Sequence, residues 1–359
     1  MSFNFTANNT LFKGLICNDK QHKIRSATGE YSLDYSEKTL SVLVDEVYQP
    51  NDVIIVDRNV YNIDNDCFDD KHSIVLDATE NNKVIETSLS IIQNLHESKF
   101  TKQNKLIVIG GGIIQDIGGF AAAIFKRGIT WVLMPTTILS MTDSSIGSKV
   151  SLNHISKNMI GVFYPPKNVY VSSFFLKTLL PIDIISGLGE ALKLSIIGGN
   201  LTLDSFMKAY ETGDHLEAIR IALSVKKVLI EHDEFDMNER KVLNYGHEFG
   251  HAIECSTNYK VPHGIGVLFG IVIVNRIFSP NKFDDIEKFI LRMIPQSVKG
   301  LMIDESDLFK HLSNNKNNMG KDHCFITLNS VGNTTISYVE IDTIRTKIVD
   351  AMSGLFVFR

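Results

Sequence analysis

Leu106-Ile107-Val108-Ile109-Gly110-Gly111-Gly112-Ile113-Ile114-Gln115-Asp116 reads as a strand, a glycine turn and the start of a helix. Four consecutive aliphatic residues suit a strand covered on both faces. Three glycines after such a strand let the backbone approach a pyrophosphate, whose charge the following helix N-terminus favours. The spacing is not G-x-G-x-x-G, so a plain tight strand-to-helix turn is the competing reading. On either side lie further short apolar runs, Val53-Ile54-Ile55-Val56, Ser73-Ile74-Val75-Leu76 and Trp131-Val132-Leu133-Met134, the last stopped by Pro135. Between the second run and Leu106, residues Lys83 to Glu97 carry Val84, Leu89, Ile91, Ile92 and Leu95 at helical spacing. Strand, helix, strand in this order predicts a parallel, doubly wound α/β unit.

From about Leu176 the texture changes. Helical patterns cover Gly187 to Ile197, Leu216 to His232, Gly246 to Cys255 and Gly264 to Ile277, and strand signals return only at Phe325-Leu328 and Thr335-Tyr338. The sequence therefore predicts an α/β domain over 1–175 and a mostly helical domain over 176–359. A length of 359 residues is ample for two cores, and 44% hydrophobic with 21% charged residues excludes disorder. The net charge of -5 argues against nucleic acid as partner. Cys17, Cys67, Cys255 and Cys324 form no C-x-x-C pair and read as reduced thiols. With neither a secretory signal pattern nor an apolar run of about 18 residues, the expectation is a soluble cytoplasmic protein without membrane contact.

Several stretches could carry chemistry. Asp143-Ser144-Ser145-Ile146-Gly147-Ser148-Lys149 follows Pro135-Thr136-Thr137 and suits a phosphate or nucleotide cradle, or is a plain serine-rich loop. Glu190 and Lys193 share a helix face, as a buried site or as an exposed ion pair. His247-Glu248-Phe249-Gly250-His251 matches H-E-x-x-H of zinc peptidases. The downstream residues those peptidases need are missing: Glu254 and Thr257 stand where the extended form wants Gly and His, and no Glu occurs between Glu254 and Glu287. Glu190, His247 and His263 fit better, as a Glu/His/His metal site with open positions, His251 then being a neighbour of the metal shell or a substrate group. Arg127, Lys149, Lys157, Lys193, Lys226, Arg240 and Lys316 are the cations nearest these motifs and suggest a small polyanionic substrate.

Together these motifs resemble the 3-dehydroquinate synthase family, the sugar phosphate cyclases. The resemblance rests on Gly110 to Pro166, on GLGEALK (Gly187 to Lys193), on RKVLNYGHEFGHAIE (Arg240 to Glu254) and on His263-Gly264, in family order. It implies a Rossmann-like N-terminal nucleotide-binding domain, a helical metal-binding domain and a homodimer. The implied metal, Zn2+ or Co2+, would be held by Glu190, His247 and His263. NAD would contact Asp57, Asn59, Glu80, Lys83, Gly111, Gly112, Asp116, Thr136, Thr137, Lys157 and Thr178. Substrate would meet Asp143, Lys149, Asn158, Lys193, Lys226, Arg240, Asn244, His251 and Lys316, with Arg127 reaching a phosphate across the dimer interface.

The implied reaction is transient NAD-dependent oxidation of an anionic sugar phosphate, phosphate elimination, re-reduction and intramolecular aldol closure. Lys226 and Arg240 match the pair that grips a carboxylate in this family, which favours 3-deoxy-D-arabino-heptulosonate 7-phosphate as substrate and 3-dehydroquinate, on the shikimate route to aromatic amino acids, as product. The chain departs from the family pattern at Gln115 and Ser148 (both usually glycine), at Ile265 (usually Glu), at Asn314-Asn315-Lys316 (usually Asp-Lys-Lys), and in a loop one residue short at Asn153 to Lys157. Those departures keep a different seven-carbon sugar phosphate in view. Remoter alternatives are a polyol or glycerol-phosphate dehydrogenase and a catalytically silent binding protein.

Overall fold

Strands β1 (Ser2–Ala7) and β2 (Thr10–Leu15) form an antiparallel hairpin, in which Phe3, Phe5 and Ala7 alternate inward as the period of two requires. This computed structural model describes residues 1–16, 19–313 and 322–359. Cys17 and the stretch Asn314-Asn315-Lys316 lie outside the described residues. Contacts divide the chain into one unit of Cys17–Leu179 and another of Met1–Ile16 with Leu180–Arg359.

In the first of these, β3 (Gln21–Ser26) and β4 (Gly29–Ser36) pair antiparallel and lead into α1 (Leu40–Val47). Then come β5 (Val53–Asp57), α2 (Arg58–Tyr61), β6 (Ser73–Leu76), α3 (Ile85–Glu97), β7 (Leu106–Gly110), α4 (Gly112–Ile124) and β8 (Trp131–Pro135). A hairpin of β9 (Lys149–Leu152) and β10 (Ile160–Phe163) precedes β11 (Asn168–Ser172). The main sheet runs β3-β4-β11-β8-β7-β5-β6, parallel from β4 to β6. Every residue of β5, β7 and β8 is buried, which is why those strands read as unbroken apolar runs. Each β-run expected between Val53 and Met134 is present within a residue of its predicted bounds.

The other unit is built on α5 (Pro181–Gly198), α6 (Asn200–Thr212), α7 (His215–His232), α8 (His247–Ser256), α9 (His263–Phe278) and α10 (Asp284–Met293). It continues through β12 (Met302–Ile303), α11 (Glu305–Ser313), β13 (Asp322–Ser330), β14 (Asn333–Glu340), α12 (Ile341–Met352) and β15 (Val357–Phe358). Its sheet has the order β13-β14-β1-β2. The expected boundary at 175/176 thus differs from the structure in two ways. The division falls at 179/180, and the first sixteen residues belong with the helical unit, because β1 pairs in parallel with β14 (Thr6 opposite Asn333). A pairing across more than 300 residues leaves no local trace in composition.

Candidate functional site

Helices α5, α8 and α9 approach backbone to backbone at glycines. A Cβ on Gly264 would lie 1.7 Å from the Ser186 carbonyl oxygen, one on Gly189 2.5 Å from that of Gly264, and one on Gly270 1.9 Å from that of Gly246. Each candidate metal ligand adjoins one of these crossings: Glu190 follows Gly189, His247 follows Gly246 and His263 precedes Gly264. Glu190 is fully buried, and its Oε1, which has no hydrogen-bond partner, lies 3.4 Å from His247 Nε2 and 3.5 Å from His263 Nε2. Three donors on a tetrahedral ion with bonds near 2.1 Å would be about 3.4 Å apart, so an orphaned oxygen facing two imidazole nitrogens at this spacing fits a divalent cation. The ligand atoms of His247, His251 and His263 also lie within 4.8 Å of one another.

Side chains around these donors fix their orientation. Lys193 Nζ donates to Glu190 Oε2 at 2.5 Å, a buried pair one helical turn apart, so the buried reading of that motif is the one observed. His263 Nδ1 donates to Glu254 Oε1 at 2.7 Å and His247 Nδ1 to the Tyr245 carbonyl at 3.4 Å, which aims both Nε2 atoms at Glu190. Burial pushes the Glu190 carboxyl up, but Lys193, His247 and His263 outweigh it and hold the group well below the usual carboxylate range. Burial, then Lys193, holds His247 well below its ordinary value and so neutral, as a ligand must be. Burial lowers His263 as well, yet the neighbouring carboxylates of Glu190 and Glu254 carry it up to about 10. The pocket therefore favours positive charge at the point where Glu190 and the two Nε2 atoms converge.

Glu254 was not singled out from the sequence. The signal existed, since residues 247, 251 and 254 stand at i, i+4 and i+7 on one helix face. Glu248, the second residue of the H-E-x-x-H match, is buried near Cys324, and burial pushes its carboxyl up to about 8. Of the remaining candidates in this unit, Lys226 is buried on α7, which packs against α5. Arg240 and Asn244 lie on the short helical turn Glu239–Asn244, which packs against both helices. His251 is exposed, its ring centroid 5.3 Å from that of His247.

In the α/β unit, β6 and β7 flank β5 on opposite sides, so the strand order reverses between β5 and β7. Ligands of open parallel sheets bind at the carboxyl ends of such strands. Asp57 ends β5, its Oδ1 accepting the Asn59 N–H at 2.9 Å, and Gly111 and Gly112 begin the helix after β7. A Cβ on Gly111 would lie 3.3 Å from Thr137 Cγ2, so Thr136 and Thr137, after β8, border the same turn. This arrangement fits a dinucleotide. The loop candidates interlock: Lys83 Nζ pairs with Asp116 Oδ2 at 2.5 Å and donates to Asn158 Oδ1 at 2.6 Å, and Glu80 pairs with Lys157 at 3.3 Å. Burial raises the Asp116 carboxyl against the pull of Lys83. Asp143 sits in a single π-type turn, Ser140–Ser144, and Lys149 opens β9. Gln115 is buried, donating to the Ser144 carbonyl at 2.5 Å and accepting from the Ser144 hydroxyl at 2.8 Å.

One candidate, Arg127, is not gathered here. It lies beyond the C-terminal end of α4, roughly 20 Å along the helix from Gly112. Thr178 is exposed in the turn after β11, its hydroxyl donating to the Phe175 carbonyl at 2.7 Å.

The sequence matches two family models in tandem, 3-dehydroquinate synthase N-terminal over residues 73–186 and 3-dehydroquinate synthase C-terminal over residues 187–317. It is 34% identical over 279 residues to a 3-dehydroquinate synthase of Campylobacter concisus, covering 75% of this chain and 80% of that protein. A 3-dehydroquinate synthase of Clostridium acetobutylicum is 38% identical over 227 residues, 62% of this chain and 63% of the relative. The fold is similar to that of 2-deoxy-scyllo-inosose synthase complexed with carbaglucose-6-phosphate, NAD+ and Co2+, with a TM-score of 0.80 at 22% identity over 92% of this chain and 99% of that one. Among the described residues no helix is long and apolar enough to cross a membrane.

Proposed function

The chain belongs to the 3-dehydroquinate synthase family, and from that premise we propose that it converts 3-deoxy-D-arabino-heptulosonate 7-phosphate to 3-dehydroquinate and phosphate. The observation that carries this reading is the orphaned Glu190 Oε1 set 3.4 and 3.5 Å from His247 and His263 Nε2, beside a buried lysine and a buried arginine-bearing turn. Glu190, His247 and His263 would hold Zn2+ or Co2+. The turn formed by Gly111, Gly112, Thr136 and Thr137, with Asp57 and Asn59, would hold NAD. When bound, NAD supplies a reversible hydride acceptor and the ion acidifies a substrate hydroxyl.

The chain's own residues then have separable tasks. Lys193, fixed by Glu190 Oε2, directs its remaining N–H donors at a substrate hydroxyl or anion. Arg240 and Lys226 grip the carboxylate, with Asn244 beside them. The family resemblance assigns Lys149, His251 and Lys316, the last outside the described residues, to the phosphate, and Asp143 and Asn158 to the substrate. Arg127, remote from the glycine turn of its own chain, serves a homodimeric partner's phosphate site.

The test incubates purified protein with the heptulosonate phosphate, NAD and zinc. Expected is phosphate release matched by 3-dehydroquinate, with no net NADH and with loss of activity on chelation. No phosphate release overturns the reading, and NADH accumulation turns it into a dehydrogenase. The departures at Gln115 and Ser148 favour a second reading, a cyclase for another seven-carbon sugar phosphate; faster phosphate release from such a substrate would select it.

A further inference from the structure

Six residues, 233 to 238, join α7, which carries Lys226, to the turn that carries Arg240. The two largest apolar side chains of this loop, Phe235 and Met237, are 51% and 67% exposed. One buried carboxylate ties its backbone together. Asp233 ends α7 with its N–H donating to the Leu229 carbonyl at 2.9 Å. Its Oδ1 accepts from the Met237 N–H at 2.9 Å, and its Oδ2 accepts from the N–H groups of Asn238 at 2.7 Å and Arg240 at 3.1 Å. Burial raises this carboxyl, but the backbone donors prevail and keep it below its ordinary value, hence charged. Beside it, Arg240 Nη1 donates to the Glu234 carbonyl, so the arginine's backbone and guanidinium both take their place from residues 233 and 234. The neighbouring Glu239 points elsewhere, accepting from Thr10 at 2.9 Å and pairing with His232 at 3.3 Å.

We propose that Asp233 is a positioning residue that sets Arg240 against Lys226, and thereby sets this chain's preference for a sugar phosphate carrying a carboxylate at its far end. The inference rests on the function proposed above. A guanidinium recognises a carboxylate through a rigid two-pronged geometry, and its advantage over a mobile cation lies in being held in place beforehand. Three charge-assisted bonds from one carboxylate to the loop backbone provide that restraint, where an exposed six-residue loop would otherwise sample many conformations.

The test uses the NAD- and zinc-loaded protein and Asp233→Asn, whose amide presents N–H groups to backbone N–H donors. KM and kcat are measured for the heptulosonate phosphate and for its carboxamide analogue, with hydrogen exchange at the amides of 237–240. Expected are faster exchange there, a KM for the carboxylate substrate raised on the order of tenfold with a smaller change in kcat, and a preference over the carboxamide reduced by the same factor. Should Asp233→Asn fail to fold, Asp233→Ser, which keeps one oxygen, carries the same test with a smaller shift. Arg276→Met removes a guanidinium that donates to the Ala351 and Ser353 carbonyls and serves as the control for general loosening. An unchanged preference, unchanged exchange, or an equal loss of preference in Arg276→Met would each overturn the proposal. A parent protein that turns over both compounds equally overturns the carboxylate reading itself, a result distinct from those.

Discussion

Glu248 shows how far a residue's surroundings can override a motif. Its neighbours His247 and His251 make the pattern of a peptidase base, yet its side chain is buried near Cys324 of β13. With its carboxyl pushed up to about 8 by burial, the folded state binds a proton that the unfolded chain releases near 4.5. Stability from this group is therefore complete below about pH 4.5 and lost as pH rises toward 8. Glu248→Gln should raise the unfolding free energy from urea titration at pH 8, by a few kcal/mol at most, and flatten its dependence on pH between 5 and 8. His263 makes a prediction of opposite kind. Held up to about 10 by Glu190 and Glu254, it must give up a proton when a cation takes Nε2. Zinc affinity should rise with pH through neutrality, and calorimetry in buffers of different ionisation enthalpy should register proton release. Glu254→Gln should weaken zinc binding roughly 10- to 100-fold in a chelator competition, by freeing the ring that Glu254 orients.

Among the elements, the crossings of α5, α8 and α9 matter most, because three candidate ligands on three helices meet only if the backbones touch. Gly264→Ala would place a methyl 1.7 Å from the Ser186 carbonyl oxygen and force α5 from α9. A loss of about 3 kcal/mol in urea unfolding is expected, together with weaker metal binding. The loop after the π-type turn carries the reverse case. Ser148 stands at a φ of 67°, where an L side chain costs energy and glycine does not. Ser148→Gly should stabilise by about 1 kcal/mol, read as a higher denaturation midpoint.

At the scale of the whole chain, the hairpin of β1 and β2 supplies half of the sheet β13-β14-β1-β2 and is covalently continuous with the other unit. Cutting the chain after Ile16 and removing the first segment should lower the unfolding midpoint of the helical unit and leave that of Cys17–Leu179 unchanged. Site-resolved hydrogen exchange would separate the two, and equal destabilisation of both would contradict the assignment.

Parallel strands buried on both faces announce themselves as apolar runs, so Val53–Asp57, Leu106–Gly110 and Trp131–Pro135 were legible from composition along the chain. Helices α5, α7, α8 and α9 were legible for the same local reason, a period of 3.6, whereas α6 (Asn200–Thr212) was not, and the candidate donors Glu190, His247 and His263 stood out by type and spacing. Nothing local could reveal that β1 pairs with β14, that Glu190 and Lys193 form a buried pair, that Glu248 is buried near Cys324, or that Asp233 closes the loop before Arg240. Each depends on which surfaces meet after the chain has folded, and burial, which sets both the pairing and the protonation of these carboxylates, is a property of the packed molecule alone.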